Sequence, residues 1–170
     1  MTRPSFERCS LRPLAAENLS MVLEWRNHPD IRGSMLQQHE ITPAEHAAWF
    51  ERVSGDPTRK LLVGWERGSP IGFVHLTNAT PGGVSDWGFY AAPGAPRGSG
   101  TKLCASALDL AFRELALHKV CGQALGFNKA SVRVHEKLGF VHEGVLREQH
   151  RMGTTYHDVI CFGLLHRDWP

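Results

Sequence analysis

Residues 97–103 read RGSGTKL, with Arg97 and Lys102 flanking Gly98, Ser99, Gly100 and Thr101. A strand-like DWGFYAAP runs into this turn, and a helix-like CASALDLAFRELAL runs out of it. Small residues at a helix start leave backbone N–H groups unobstructed, and the helix dipole makes that end partly positive. A lysine placed there is locally unfavourable unless an anion sits against it. The chemistry these types suggest is phosphate binding. The same residues suit a tight β–α connection with solvated cations, and the turn alone leaves both readings open. It is neither a P-loop nor a GxGxxG fingerprint.

The elements around the turn follow from apolar spacing. CSLRPL (9–14) reads as a short strand, and AAENLSMVLEWRN (15–27) as a helix with Leu19, Val22, Leu23 and Arg26 on one stripe. Pro29 disfavours α geometry at His28, so that helix ends there. Residues 31–39 read as an irregular loop. A second helix spans 43–53, with Thr42 as N-cap, Pro43 at the first helical position and Glu45 closing a capping box. KLLVGWE and IGFVHLT form a hairpin across RGSP, and VSDWGFYAA adds a third strand. A helix over 99–116 leads to a strand over 118–125. Then come NKASVRVHEKL (128–138), a helix capped by Asn128 and stopped by Gly139, and two last strands, FVHEGVLREQ and YHDVICFGLL. The order β-α-α-β-β-β-α-β-α-β-β predicts an α+β layer architecture with a central, mostly antiparallel sheet. The βαβ piece over 84–125 forces one parallel pair.

Bulk properties narrow the function classes. The 170 residues suit a single domain, 1–170, with no repeat or linker. Hydrophobic content of 42% and charged content of 21% are those of a soluble globular chain. A net charge of +2, with Lys and Arg scattered, argues against nucleic acid as a partner. No apolar run approaches the roughly 18 residues of a membrane span. The opening MTRPSFERCS lacks the apolar core of a signal peptide. Cys9, Cys104, Cys121 and Cys161 show no metal spacing and read as reduced thiols in a cytoplasmic protein. No metal site is expected.

Two motifs carry a family resemblance. RGSGTKL is similar to the R/Q-x-x-G-x-G/A turn of GCN5-related N-acetyltransferases, with Arg97 and Gly100 in place and Lys102 where the last Gly or Ala belongs. NKASVRVHEKLGF resembles the same family's N-x-x-S/A-x-x-x-Y-x-K-x-G-F segment through Asn128, Ser131, Lys137, Gly139 and Phe140. The resemblance runs nearly the whole chain. It implies the GNAT fold, about seven strands and about four helices, splayed between strands four and five. It further implies acetyl-CoA as cosubstrate. The pyrophosphate would lie on Arg97, Gly98, Ser99, Gly100, Thr101 and Lys102, and the pantetheine arm would pair with the backbone of Phe89, Tyr90 and Ala91. Asn128, Ser131 and Lys137 complete the cofactor set, Asn128 also serving as a helix cap.

The reaction so implied is attack of a neutral amine on the thioester carbonyl. It needs a base, oxyanion donors and a source of a proton for the departing thiolate. His135 stands where the family's acid tyrosine belongs. It is expected either to donate to the thiolate or to be a plain helix-face histidine. Asp86 is the catalytic base expected, with His75 and Glu66 as further candidates on the same strands. Gln123 cannot act as a base.

The acceptor reading rests on the N-terminal third. EWRNHPDIRGSM and EITPAEHAAWF resemble the PseH-type branch, which acetylates the 4-amino group of a UDP-linked 4-amino-4,6-dideoxy sugar for pseudaminic acid synthesis. On that resemblance Trp25, Arg26, His28, Met35 and His46 hold the UDP-amino-sugar. Arg26 suits a diphosphate through paired hydrogen bonds, and Met35 can pack on uracil. Trp25 could stack on the base or sugar, though a Trp on a first helix is more often a core residue. The competing reading is a protein Nα-acetyltransferase of the ribosomal-protein-alanine type. An aminoglycoside acetyltransferase would want a more acidic loop than 28–40, and a catalytically dead acetyl-CoA-binding domain would release no thiol. The last strand can pair across subunits into a homodimer.

Overall fold

The computed structural model describes residues 5–170; the first four, part of the opening MTRPSFERCS, lie outside them. Strand β1 (Ser10–Pro13) is followed by helices α1 (Leu19–Asn27), α2 (Pro29–Arg32) and α3 (Pro43–Ser54). The meander β2 (Lys60–Glu66), β3 (Ser69–Thr77) and β4 (Val84–Ala91) comes next, then α4 (Ser99–Asp109), β5 (Lys119–Leu125) and α5 (Lys129–Lys137). The hairpin β6 (Val141–Met152) and β7 (Thr155–Leu165) closes the chain. One seven-stranded sheet has the order β1-β2-β3-β4-β5-β7-β6, and β4–β5 is its parallel pair. The expected α+β fold is therefore present.

The sheet is apolar on both faces because each face carries helices. Leu62, Val74, Leu76 and Trp87 pack with Leu103, Leu108 and Phe112 on the α4 side. Val63 and Phe73 pack with Val22, Trp25 and Trp49 on the α1–α3 side. Neighbouring residues such as Leu62 and Val63 thus serve opposite cores, as a pleated strand requires. At the start of α3 the capping box forms: the Thr42 N–H donates to Glu45 Oε2 at 2.7 Å, and the Glu45 N–H donates to Thr42 Oγ1 at 3.2 Å.

Two stretches depart from expectation. The segment read as a loop from 31 begins inside α2, a single turn that raises the count to five α-helices among the described residues. Pro29 pre-sets its first position, and His28 Nδ1 caps it by accepting the Asp30 N–H at 3.3 Å. The helix expected over 99–116 changes to a π turn at Leu110–Glu114, where the Leu115 N–H donates to Leu110 O. The wider turn keeps Leu108, Ala111 and Phe112 against the core together.

Candidate active site

β4 and β5 pair only at Val84–Lys119, Ser85–Val120 and Asp86–Cys121. Beyond Asp86 they part, although β4 runs to Ala91 and β5 to Leu125. β3 takes one edge of β4 through this stretch, from Asp86 to Ala91. The other edge opens onto a cavity of about 860 Å³. Unpaired N–H and C=O groups along a strand edge call for an added strand. A ligand chain bearing amides fits there, against Phe89, Tyr90 and Ala91, all of which line the cavity.

The turn after β4 supplies the anion cradle. Gly98 has φ +92°, a left-handed conformation that L side chains rarely adopt. The first turn of α4 then starts with two open donors. The Ser99 N–H bonds Pro96 O and the Lys102 N–H bonds Gly98 O, while the N–H groups of Gly100 and Thr101 have no such acceptor. Gly98, Gly100 and Thr101 line the cavity. The Ser99 hydroxyl is buried without a partner among the described residues. Donor geometry and the open strand edge both fit CoA, a pyrophosphate joined to an amide-bearing arm. Asn128 and Ser131 line the opposite wall. There the Asn128 Oδ1 caps α5 by accepting the Ser131 N–H at 3.2 Å.

Lys102 is corrected by the structure. Its ammonium is held by Glu66 at 2.5 Å and Glu7 at 2.7 Å, which raises its pKa through those two hydrogen bonds. Two carboxylates already neutralise it, so it brings no net charge to a phosphate. The same pairing removes Glu66 from the list of bases, since it lies outside the cavity lining. Arg97 is exposed beside the turn and Lys137 is exposed at the end of α5; neither lines the cavity.

His135 is also corrected. It is 1% exposed, with Nδ1 2.8 Å from the Ser131 carbonyl and Nε2 accepting the Trp87 Nε1–H at 3.1 Å. A carbonyl and an N–H on opposite ring atoms fix one neutral tautomer. Burial lowers its pKa. Its single N–H is committed to a backbone carbonyl, so no proton is presented to a leaving thiolate.

The acceptor side of the cavity is built on the opposite face of the sheet. Asp86, Gly88 and Tyr90 alternate with Trp87 and Phe89, and His75 pairs with Gly88 across β3–β4. Asp86, His75, Arg26 and Met35 all line this side, together with Asp30 and Gln37 from the α1–α3 connection. Arg26 Nη2 donates to the Gln37 carbonyl at 2.6 Å, and its Nη1 is buried with no partner among the described residues. Desolvation lowers the Arg26 pKa and raises that of Tyr90. Burial pushes His75 down to about 4, so it stands in the cavity as a neutral imidazole.

Three of the expected acceptor residues stand elsewhere. Trp25 is 9% exposed and belongs to the core between α1 and the sheet. His46 is buried against the Trp49 ring at 5.1 Å, and His28 caps α2; both border a separate depression between α1 and α3. Helix spacing shows which residues share a face but not which face meets the cavity. Trp87, Gly122 and Gln37 were missed. The alternation of 86, 88 and 90 against 87 and 89 carried part of that signal; the loop around Gln37 carried none.

The Acetyltransferase (GNAT) domain family matches residues 8–141. The prophage-derived N-acetyltransferase YokL of Bacillus subtilis is 40% identical over 86 residues, which is 49% of this chain and 49% of that protein. The match thus spans about half the length of that relative. The acetyltransferase PseH of Campylobacter jejuni is 24% identical over 127 residues, covering 75% of this chain and 79% of that one. Spermidine N-acetyltransferase from Vibrio cholerae, solved with CoA and spermine, superposes with a TM-score of 0.87 at 24% identity over 95% of this chain and 97% of that one. The family match runs from β1 to the start of β6, through every wall of the cavity, and on it the chain belongs to the GNAT acetyltransferases, enzymes that use acetyl-CoA to acetylate an amine.

Proposed function

We propose that this enzyme acetylates the 4-amino group of a UDP-linked 4-amino-4,6-dideoxy sugar. The observation that carries this reading is Arg26: a half-buried guanidinium at the acceptor side whose Nη1 has no partner among the described residues. An unpaired buried cation costs free energy until an anion reaches it. A diphosphate offers two oxygens to the guanidinium fork. Met35 stands on the same side, where its thioether can pack on a base. Trp25, His28 and His46 take no part.

In this reading Gly100, Thr101 and the open edge of β4 hold acetyl-CoA, and Asp86 receives the proton that the acceptor ammonium loses. The nitrogen then forms its bond to the acetyl carbon as the carbon–sulfur bond breaks. As the amide forms, the nitrogen sheds a second proton; His135 has none to give, so water carries that proton to the departing thiolate. Placing the amine against the thioester supplies much of the rate.

Thiol release from acetyl-CoA over a panel of acceptors tests the proposal. The panel holds the UDP-amino-sugar, an alanine-initiated peptide, spermidine and an aminoglycoside. Turnover is expected with the UDP-amino-sugar. Turnover with the peptide or a polycation, and none with the sugar, overturns the acceptor assignment and leaves the acetyl-CoA site standing.

A further inference from the structure

Trp87 and Gly122 are the first residues of β4 and β5 beyond the last paired position, Asp86–Cys121. At that point the two strands lose each other's hydrogen bonds, and something else must set how far apart they stand. The Trp87 indole crosses the opening and donates to His135 Nε2 at 3.1 Å. His135 is tied in turn to the Ser131 carbonyl on its own helix. A Cβ on Gly122 would run into His135 Nε2 and stand 2.6 Å from Trp87 Nε1, so the two rings lie directly over this glycine. Both rings are wedged. His135 stacks on Phe162 at 4.5 Å and 7°, and Trp87 stacks on Phe140 at 5.1 Å and 22°. Phe89 closes on both. The pair borders the cavity along with Ser131 and Asn128 of the α5 wall.

We propose that Trp87 and His135 form a positioning pair that braces α5 against β4 across the parted strands and sets the width of the slot that CoA enters. Gly122 is part of the device, because only a residue without a side chain lets the two rings meet there. Neutral His135 is the required state: a second N–H on the ring would face the indole N–H, donor against donor. Burial among aromatic rings keeps it neutral. The inference rests on CoA occupying this slot. Failure of that premise would show separately, as unaltered protein that binds no CoA.

The experiment measures CoA affinity by calorimetry and kcat at saturating acetyl-CoA for Trp87→Phe, His135→Phe, His135→Gln and Gly122→Ala. Trp87→Phe and His135→Phe keep an aromatic ring and delete the hydrogen bond. Both are expected to weaken CoA roughly tenfold and to leave kcat and its pH profile within about threefold, the loss of one buried hydrogen bond. His135→Gln offers the indole a new acceptor and restores affinity. Gly122→Ala weakens CoA by pushing the two rings apart, with both Trp87 and His135 still present. In the unaltered protein the Trp87 indole N–H, assigned through Trp87→Phe, exchanges slowly with solvent, and in His135→Phe it exchanges fast. If His135→Phe lowers kcat by a hundredfold or more with CoA affinity kept, His135 is an acid and the proposal falls. It also falls if affinity is unchanged in both phenylalanine variants, or if those variants fail to fold while His135→Gln does no better.

Discussion

Arg26 and Asp86 divide the acceptor chemistry between them, and each predicts a different kinetic change. Arg26 Nη1 makes no hydrogen bond within the described residues, so truncating the side chain removes only one hydrogen bond, from Nη2 to the Gln37 carbonyl. Arg26→Ala should raise the KM for an anionic acceptor by roughly ten- to a hundredfold, the range of a charge-assisted hydrogen bond. The KM for acetyl-CoA and the melting temperature should hold. Arg26→Lys should not rescue, since an ammonium lacks the planar fork. An unchanged acceptor KM would make Arg26 structural. Asp86→Asn keeps the shape and removes the base. Its expected signature is a fall in kcat of about 10²–10⁴-fold with CoA affinity intact, as for other proton-transfer groups. A kcat within threefold of the unaltered enzyme would move the task to water or to His75.

At the scale of elements, the helix start after β4 carries both stability and ligand. Gly98 needs its φ of +92°, so Gly98→Ala strains the turn. Gly100 is different: its φ is ordinary, and a Cβ there meets nothing within 4 Å. Gly100→Ala should therefore stabilise the helix by up to about 1 kcal/mol, which moves the melting temperature up a few degrees. Gly100 also lines the cavity, so the same methyl should weaken CoA binding. Opposite signs in the two measurements would mark this glycine as kept for the ligand; a gain in both would remove the anion cradle from this turn.

The same elements show what the sequence could and could not disclose. Strand alternation, the Thr42 capping box and the NKASVRVHEKLGF helix are local patterns, and they led to the order of strands along the chain and their parallel pair; the slot was implied only by the family resemblance. Lys102 and His135 misled because their partners are distant. Glu66 lies 36 positions from Lys102, and Trp87 lies 48 from His135. Nothing in a turn or a helix reports that its cation is already neutralised across the sheet. Trp25 and His46 sit on helices whose spacing was read correctly, and His28 sits at the junction of α1 with the unexpected α2; the rotation of α1 and α3 against the sheet is a packing outcome, set by Trp25, Val63 and Phe73 in one core.

For the whole molecule, buried histidines couple folding to pH. His46, His75 and His135 are all held below the ordinary value of 6.5 by burial, and His75 reaches about 4. Each binds its proton more readily in the unfolded chain. Stability is then whole above about pH 6.5 and declines as pH falls through the window toward 4. For His75 alone the loss is at most about 3 kcal/mol, because the group is partly open to the cavity. The carboxylates held low by hydrogen bonds, such as Glu45 and Asp56, act in the same direction but in a lower window, through the ordinary carboxylate range and beneath it. The two contributions therefore separate on the pH axis. Calorimetry from pH 8 down to 4 should show a melting temperature flat above neutrality and falling already near pH 6, before the carboxylates titrate. His75→Asn should make that upper limb shallower, leaving the part due to His46 and His135, and leave the lower one unchanged. If the variant and the unaltered protein fall together across the whole range, His75 is solvated in the folded state, and its place in the cavity is wetter than its burial implies.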